Sequence, residues 1–324
     1  MSKTNVYVLI ATGLLGILLV VVQRISGRAD VEPVTIPVRS DAQALATASA
    51  DASAGLPRLD GPDALVELLE RRGFDAGKLI ADSIAWHRAL GFNGPLPLLG
   101  KTDVSSRQAD LDRLDDDSLR VLSRRDTSAL QALAARLAPT DPFAALELYE
   151  QAAERGSVYA LLQNASLRQT LGDVAAAKAG ADPEFNRRIA ALSDASTGGS
   201  LRESAFAAAM AAIRDAGIPV IDAEMLRWTQ SMARDLPTDR LEPACAAAED
   251  NYLRYGALRR QQGLAPLRVA PPAVFVSLPD VAGQIPCADT SHPLQFTLNL
   301  STCGSELVAD AAGRLMTLYV CPPD

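Results

Sequence analysis

The sequence predicts a mainly α protein with three parts: an N-terminal transmembrane helix, a domain of helical hairpins, and a small C-terminal β-containing module. Three observations carry this. An uncharged apolar run occupies residues 6–22, a succession of capped, helix-periodic segments fills 61–262, and short β-rich runs follow Gly263. The boundaries drawn from them are 1–28 for the anchor, 29–60 for a linker, 61–262 for the helical domain and 263–324 for the β module. Hydrophobic residues make up 48% and charged residues 22% of the chain, which is the composition of a globular protein. The net charge is −8 and no extended basic run exists, so nucleic acid is excluded as a partner, because phosphate binding needs clustered Lys and Arg. Abundant Ala and the use of Arg over Lys are the habit of GC-rich bacterial genomes.

The run from Val6 to Val22, VYVLIATGLLGILLVVV, is 17 residues without a charge, at the lower edge of what crosses a bilayer as a helix. No A-x-A-like cleavage site and no cysteine follow it closely, so it reads as an uncleaved signal anchor rather than a removed signal peptide or a lipoprotein leader. Its orientation is contested. Arg24, Arg28 and Arg39 follow the span and only Lys3 precedes it, which taken literally places the large domain in the cytoplasm. Long domains translocate largely regardless of charge, however, and the cysteines favour the other side. The expectation is a single-pass inner-membrane protein with its large domain in the periplasm.

Residues 29–60 are rich in Ala, Ser, Asp and Pro with little apolar periodicity, the composition of a flexible tether, with room for a short helix over 41–50. Folded structure is expected from Gly61, with Pro62 at a first helical position and Gly73 ending that helix. Further helices are expected over 76–90, 107–123, 128–138, 142–155, from Tyr159 to Leu171, and over 183–193, 201–216, 222–235 and 241–261, several opened by Asp. Beyond Gly263, residues 273–278, 294–300 and 315–320 are expected as strands.

The stretch 141–173 is the most specific. Asp141 caps a helix with Pro142 at its first position. Ala145, Tyr149, Ala152 and Ala153 then recur at helical spacing, Gly156 suits a left-handed stop with Ala160 four residues on, and Tyr159, Leu162, Ala165 and Leu171 begin the next apolar face. Alanines at the contact let two helices approach closely while Tyr149 fills the groove between them. With one extra residue before Tyr149, this resembles the end of the Sel1-like repeat motif, A-x-x-Y-x-x-A-A-x-x-G-x-x-x-A, a relative of the tetratricopeptide repeat. The resemblance covers about 20 residues; the first half of the motif is not seen before Asp141, and no clean copy recurs. It implies a degenerate α-solenoid and adaptor or assembly work rather than catalysis.

Four cysteines, Cys245, Cys287, Cys303 and Cys321, all lie in the last quarter, with gaps of 41, 15 and 17 residues and no C-x-x-C. That spacing is poor for zinc and suits two disulfides in an oxidising compartment, or else four buried thiols. If 294–303 and 314–321 pair as a hairpin, Cys303 lies at the turn and Cys321 about 24 Å away at ~3.4 Å per residue. The pairing Cys303–Cys321 with Cys245–Cys287 is then excluded. Cys245–Cys321 with Cys287–Cys303 is favoured because the shorter loop closes more readily, with Cys245–Cys303 and Cys287–Cys321 left open.

Neither histidine suggests chemistry. His87 adjoins Trp86 in an amphipathic helix and reads as structural, and His292 lies in a loop between Cys287 and Cys303. The acidic group Asp110, Asp112, Asp115, Asp116 and Asp117 lacks the Gly and Glu of a calcium loop and reads as a solvated helix end. No G-x-S-x-G, H-E-x-x-H or Walker motif is present, so no catalytic residue, cofactor or metal is expected. The expected partners are the membrane, through residues 6–22, and an unidentified protein or peptide. The expected function is a membrane-anchored, non-catalytic interaction scaffold of the bacterial envelope. The alternative is an envelope enzyme or accessory whose C-terminal module binds substrate.

Overall fold

The computed structural model describes residues 55–93, 104–177, 183–195, 199–264, 270–296 and 298–321, all within one unit, Ser49–Asp324. The anchor expected over 6–22 and the helix expected over 41–50 lie outside the described residues. Among the described residues no helix is long and apolar enough to cross a membrane.

The described chain is mainly helical with one small sheet. In order it runs β1 (Arg58–Leu59), α1 (Pro62–Arg71), α2 (Ala76–Ala89), α3 (Val104–Asp112), α4 (Asp116–Ser123), α5 (Thr127–Leu137), α6 (Pro142–Glu154), α7 (Val158–Ala177), α8 (Pro183–Ala195), α9 (Leu201–Ala216), α10 (Ala223–Asp235), α11 (Leu241–Gln261), β2 (Val274–Ser277), α12 (Val281–Gln284), β3 (Gly304–Asp310) and β4 (Leu315–Val320).

Helix starts follow the local chemistry. Side chains of Asp75, Asp115, Asp126, Asp141, Ser200 and Asp222 accept hydrogen bonds from backbone N–H groups in the first turns of α2, α4, α5, α6, α9 and α10. Each satisfies a donor that the helix itself leaves unpaired. The stretch expected as one helix over 107–123 is two, because the Asp115 carboxylate caps Ser118 N at 2.7 Å and starts α4 afresh.

Helix α9 is the centre of the larger core. From Ala205 to Ile213 every residue is at most 5% exposed, so the helix is enclosed all round, as its alanine-rich sequence permits. It packs against α7 on one side and α11 on another, with α10 against it as well. Alanine is what lets these backbones approach closely. The joint between α6 and α7 is Arg155, Gly156 and Ser157, with Gly156 at φ +90. A joint this short makes the two helices antiparallel neighbours.

A second core lies between the sheet and the helices α1 and α2, joining Leu65, Leu68, Leu69, Leu79 and Ile84 to Val274, Val308 and Leu318. The sheet order is β1-β3-β4-β2, with β1 parallel to β3 and the other pairs antiparallel. The strands after residue 263 therefore take their outer neighbour from residues 58–59 and their helical cover from 62–89. Ser83 and Trp86 of α2 tie this cover down: Val274 N donates to Ser83 Oγ at 2.8 Å and Trp86 Nε1 to Ala270 O at 2.9 Å.

Two expectations are corrected here. Residues 294–296 and 298–300 are not a strand; Leu294 and Phe296 pack against the helical core, and Leu298 is buried in it. The first strand of the hairpin is instead 304–310, paired Gly304↔Val320 through Ala309↔Leu315. This shift reverses the disulfide argument. Cys303 lies at the open end of the hairpin, directly before Gly304 and opposite Cys321. The disulfides are Cys303–Cys321, with Cα atoms 4.2 Å apart, and Cys245–Cys287, at 5.8 Å. The pairing that the misplaced hairpin excluded is the one that forms. Cys245–Cys287 holds the segment after β2 to α11, within the helical core.

Candidate functional site

A groove of about 440 Å³ lies where α6 and α7 meet α9 and α11. Its floor is made by small residues, Ala207 and Ala208 of α9 and Ala244 and Ala247 of α11, with Gly199 at one end. These side chains are too short to fill the space between their larger neighbours, which leaves the surface hollow there. Its walls are polar and charged, and most of their side chains are hydrogen-bonded to another element.

On α7, Asn164 is 1% exposed. Its Nδ2 donates to Glu150 Oε2 at 3.3 Å and to Leu146 O at 3.4 Å, and its Oδ1 accepts from Arg168 Nε at 2.7 Å. One turn apart on the same helix face, Asn164 thus braces Arg168. Arg168 Nη1 also donates to Ser204 Oγ of α9 at 3.3 Å. Across the groove, Tyr255 OH donates to Glu150 Oε1 at 2.8 Å, and Arg254 Nη2 reaches the same oxygen at 2.9 Å. Burial, reinforced by the Glu150 carboxylate, pushes the Tyr255 phenol far above its ordinary value. It is a fixed donor and no base. At the other end Arg240 clasps Glu203 through two hydrogen bonds of 3.0 and 2.6 Å, which hold the Glu203 carboxyl below its ordinary range. Asp250 lies exposed at the rim.

This arrangement offers charged and hydrogen-bonding groups to a ligand, and the Ser204 hydroxyl in it donates to Leu201 O at 3.1 Å and accepts from Arg168. None of the ten residues singled out in the sequence lines it. Ala145, Tyr149, Ala152, Ala153 and Ala160 are buried in the helical layers behind it. Gly156 makes the α6–α7 joint, and its carbonyl accepts from Arg259 Nη1 at 3.0 Å. Cys245, Cys287, Cys303 and Cys321 are all in disulfides. The groove residues left no motif. The readable trace was Asn164 among the buried Leu161, Leu162 and Ala165 of α7, with Arg168 four residues on.

Elsewhere, His87 is buried, its Nδ1 donating to Ser83 O at 2.8 Å, and desolvation lowers its pKa. His292 has no thiol beside it; its Nδ1 lies 3.8 Å from Glu249 Oε2. In the acidic group, Asp110 pairs with Arg113, Asp117 with Arg120 and Asp116 with Arg136, while Asp112 accepts from Gln108 and Asp115 caps α4. Among the described residues no cluster of His, Cys, Asp and Glu could hold a metal.

The chain matches no family model, and comparison with curated proteins and with solved structures likewise finds no match.

Proposed function

We propose that this chain is a membrane-anchored, non-catalytic interaction scaffold of the bacterial cell envelope, which holds a segment of a partner protein in the groove along α7, α9 and α11. The observation that carries the reading is the groove itself. It is floored by alanines of two helices, and its charged walls are locked by the Glu150, Asn164 and Tyr255 network. Preformed, rigid grooves lower the ordering cost of binding a segment of chain. The α6–α7 hairpin, with its Sel1-like spacing from Ala145 to Ala160, supports the same reading, because repeats of that kind bind along helical faces. Two disulfides and the apolar run at 6–22 support placement of the domain on the oxidising side of the membrane.

The test is photocrosslinking in cells, with a photoreactive residue replacing Ala247 in the groove or Val121 on α4, which is 66% exposed and outside the groove. A discrete protein adduct from position 247 and none from 121 is expected. Adducts of equal yield from both positions refute the assignment of the groove. A phosphatase fusion after Asp324 reports the side of the membrane, and activity confined to the cytoplasm overturns the placement.

A further inference from the structure

Three guanidinium groups line the groove, and their partners differ. Arg240 is neutralised by Glu203, and Arg254 by Glu150. Arg168 is held by neutral oxygens alone, Asn164 Oδ1 and Ser204 Oγ, and among the described residues it makes no ion pair. A guanidinium has five N–H donors, so two hydrogen bonds leave three for a ligand. Its Nε bond of 2.7 Å goes to an amide that is almost fully buried, whose Nδ2 is turned to Glu150 Oε2 and the Leu146 carbonyl at 3.3 and 3.4 Å.

Building on the scaffold reading, we infer that Arg168 is a recognition residue for a single carboxylate on the partner's peptide segment. That carboxylate completes the third ion pair of the groove. Orienting an arginine with neutral partners keeps its charge available while removing the entropy cost of fixing it at the moment of binding. The rim sets the limit on the ligand's charge. Asp250 is exposed beside the groove, and the chain carries net charge −8, so a polyanion meets several times the repulsion that one carboxylate amid neutral residues does. The ligand is therefore an Asp or Glu side chain, or a chain terminus, within a largely uncharged stretch.

The test uses the full-length chain and a random dodecapeptide library, selected on the wild type and counter-selected on Ala247→Trp, which fills the groove. Enriched peptides are expected to share one carboxylate. Replacing it by the corresponding amide weakens binding about 10- to 100-fold, the usual loss for a charge-assisted hydrogen bond. Arg168→Gln causes the same loss, and combining the two changes costs little more than either alone, which a merely structural role for Arg168 would not produce. Arg168→Lys retains part of the affinity and controls for folding. N-acetylglutamate at millimolar concentration competes only weakly. If it binds as tightly as the peptides, the ligand is a free carboxylate and the peptide assignment is overturned. Groove-dependent peptides that bind equally well as amides overturn the role of Arg168 and leave the scaffold reading intact. Failure to enrich any groove-dependent peptide overturns both.

Discussion

In the helical core, α9 meets α7 and α11 through alanines, and elements adjacent or nearly adjacent in sequence do most of the packing. In the corner where α1 and α2 cover the sheet, the contacts are made by Leu, Ile and Val from the two ends of the described chain, residues 59–84 and 273–320. The first core is close backbone to close backbone and has no room to give. The second is built from large side chains and depends on every one being present. Cys245–Cys287 lies in the first core and Cys303–Cys321 ties the open end of the β3–β4 hairpin, and the two staples differ in the span they close.

That contrast is tested most strongly at the cysteines. Replacing Cys245 and Cys287 by serine opens a closure of 42 residues in sequence, and replacing Cys303 and Cys321 opens one of 18. Chain entropy gives losses of about 4 and about 3 kcal/mol respectively. Denaturant unfolding of the two double variants measures this, and an inverted order would show that strain or residual structure outweighs loop length. Non-reducing peptide mapping checks the pairing directly.

The helical core also contains a titrating group that the corner lacks. Asp215, near the end of α9, is 8% exposed, and desolvation raises its pKa to about 7 although Arg259 and Arg214 pull it down. A carboxyl whose folded pKa lies above its unfolded value of about 3.9 stabilises the fold fully below about pH 4, and that contribution is lost as pH rises through about 7. Asp215→Asn should therefore gain on the wild type across that window, by on the order of 4 kcal/mol, and then level off. His87 acts in the opposite sense: its pKa is lowered by burial, so its contribution is lost as pH falls through and below its ordinary value. Thermal melts of wild type and Asp215→Asn from pH 4 to pH 8 read the difference, and parallel curves would remove Asp215 from the account.

Packing itself gives the next contrast. Leu318→Ala in the corner should cost about 3 kcal/mol through the cavity it leaves. Ala209→Leu, at a position of 0% exposure in α9, should cost about 2 kcal/mol through overpacking. Neutral behaviour of Ala209→Leu in chemical denaturation would mean that the helices around α9 can part. The smallest effect compares two glycines. Gly156 and Gly55 both have positive φ, so valine is strained at either. A side chain at Gly156 would also run into the Arg259 guanidinium, whereas Gly55 faces open space. Gly156→Val should thus be the less stable by about 1 kcal/mol, the worth of the Arg259 hydrogen bond, and equal melting temperatures would show that Arg259 moves aside freely.

The helical part was legible because its signals are local. Asp caps, Pro at first turns and apolar periodicity each act within a few residues, and α1, α2, α5, α6, α9, α10 and α11 lie within a residue or two of the ranges they predict. The sheet was half legible. Residues 294–300 alternate apolar and polar, but alternation marks which side chains are buried and not what covers them. Here Leu294, Phe296 and Leu298 turn onto helices, and no strand is needed. Gly304, Ser305 and Glu306, which look like a turn, are strand because β4 pairs with them. The groove was least legible. Its walls come from helices more than a hundred residues apart, as in the bond between Glu150 and Tyr255, and no local spacing encodes such a meeting.

The parallel pairing of β1 with β3 joins Arg58 to Ala309 and Leu59 to Asp310. A ribosome, or a translocon, delivers the chain from its N-terminus, so Leu59, Leu65, Leu68 and Leu69 emerge long before β2, β3 and β4 arrive to cover them. During that interval the half-made corner is an apolar surface open to proteases and chaperones, while the helical hairpins can already close on their neighbours. A chain cut short before β3 keeps that surface exposed. Synthesis of β3 and β4 is thus the event that hides it, and a molecule lacking them carries its own mark for removal.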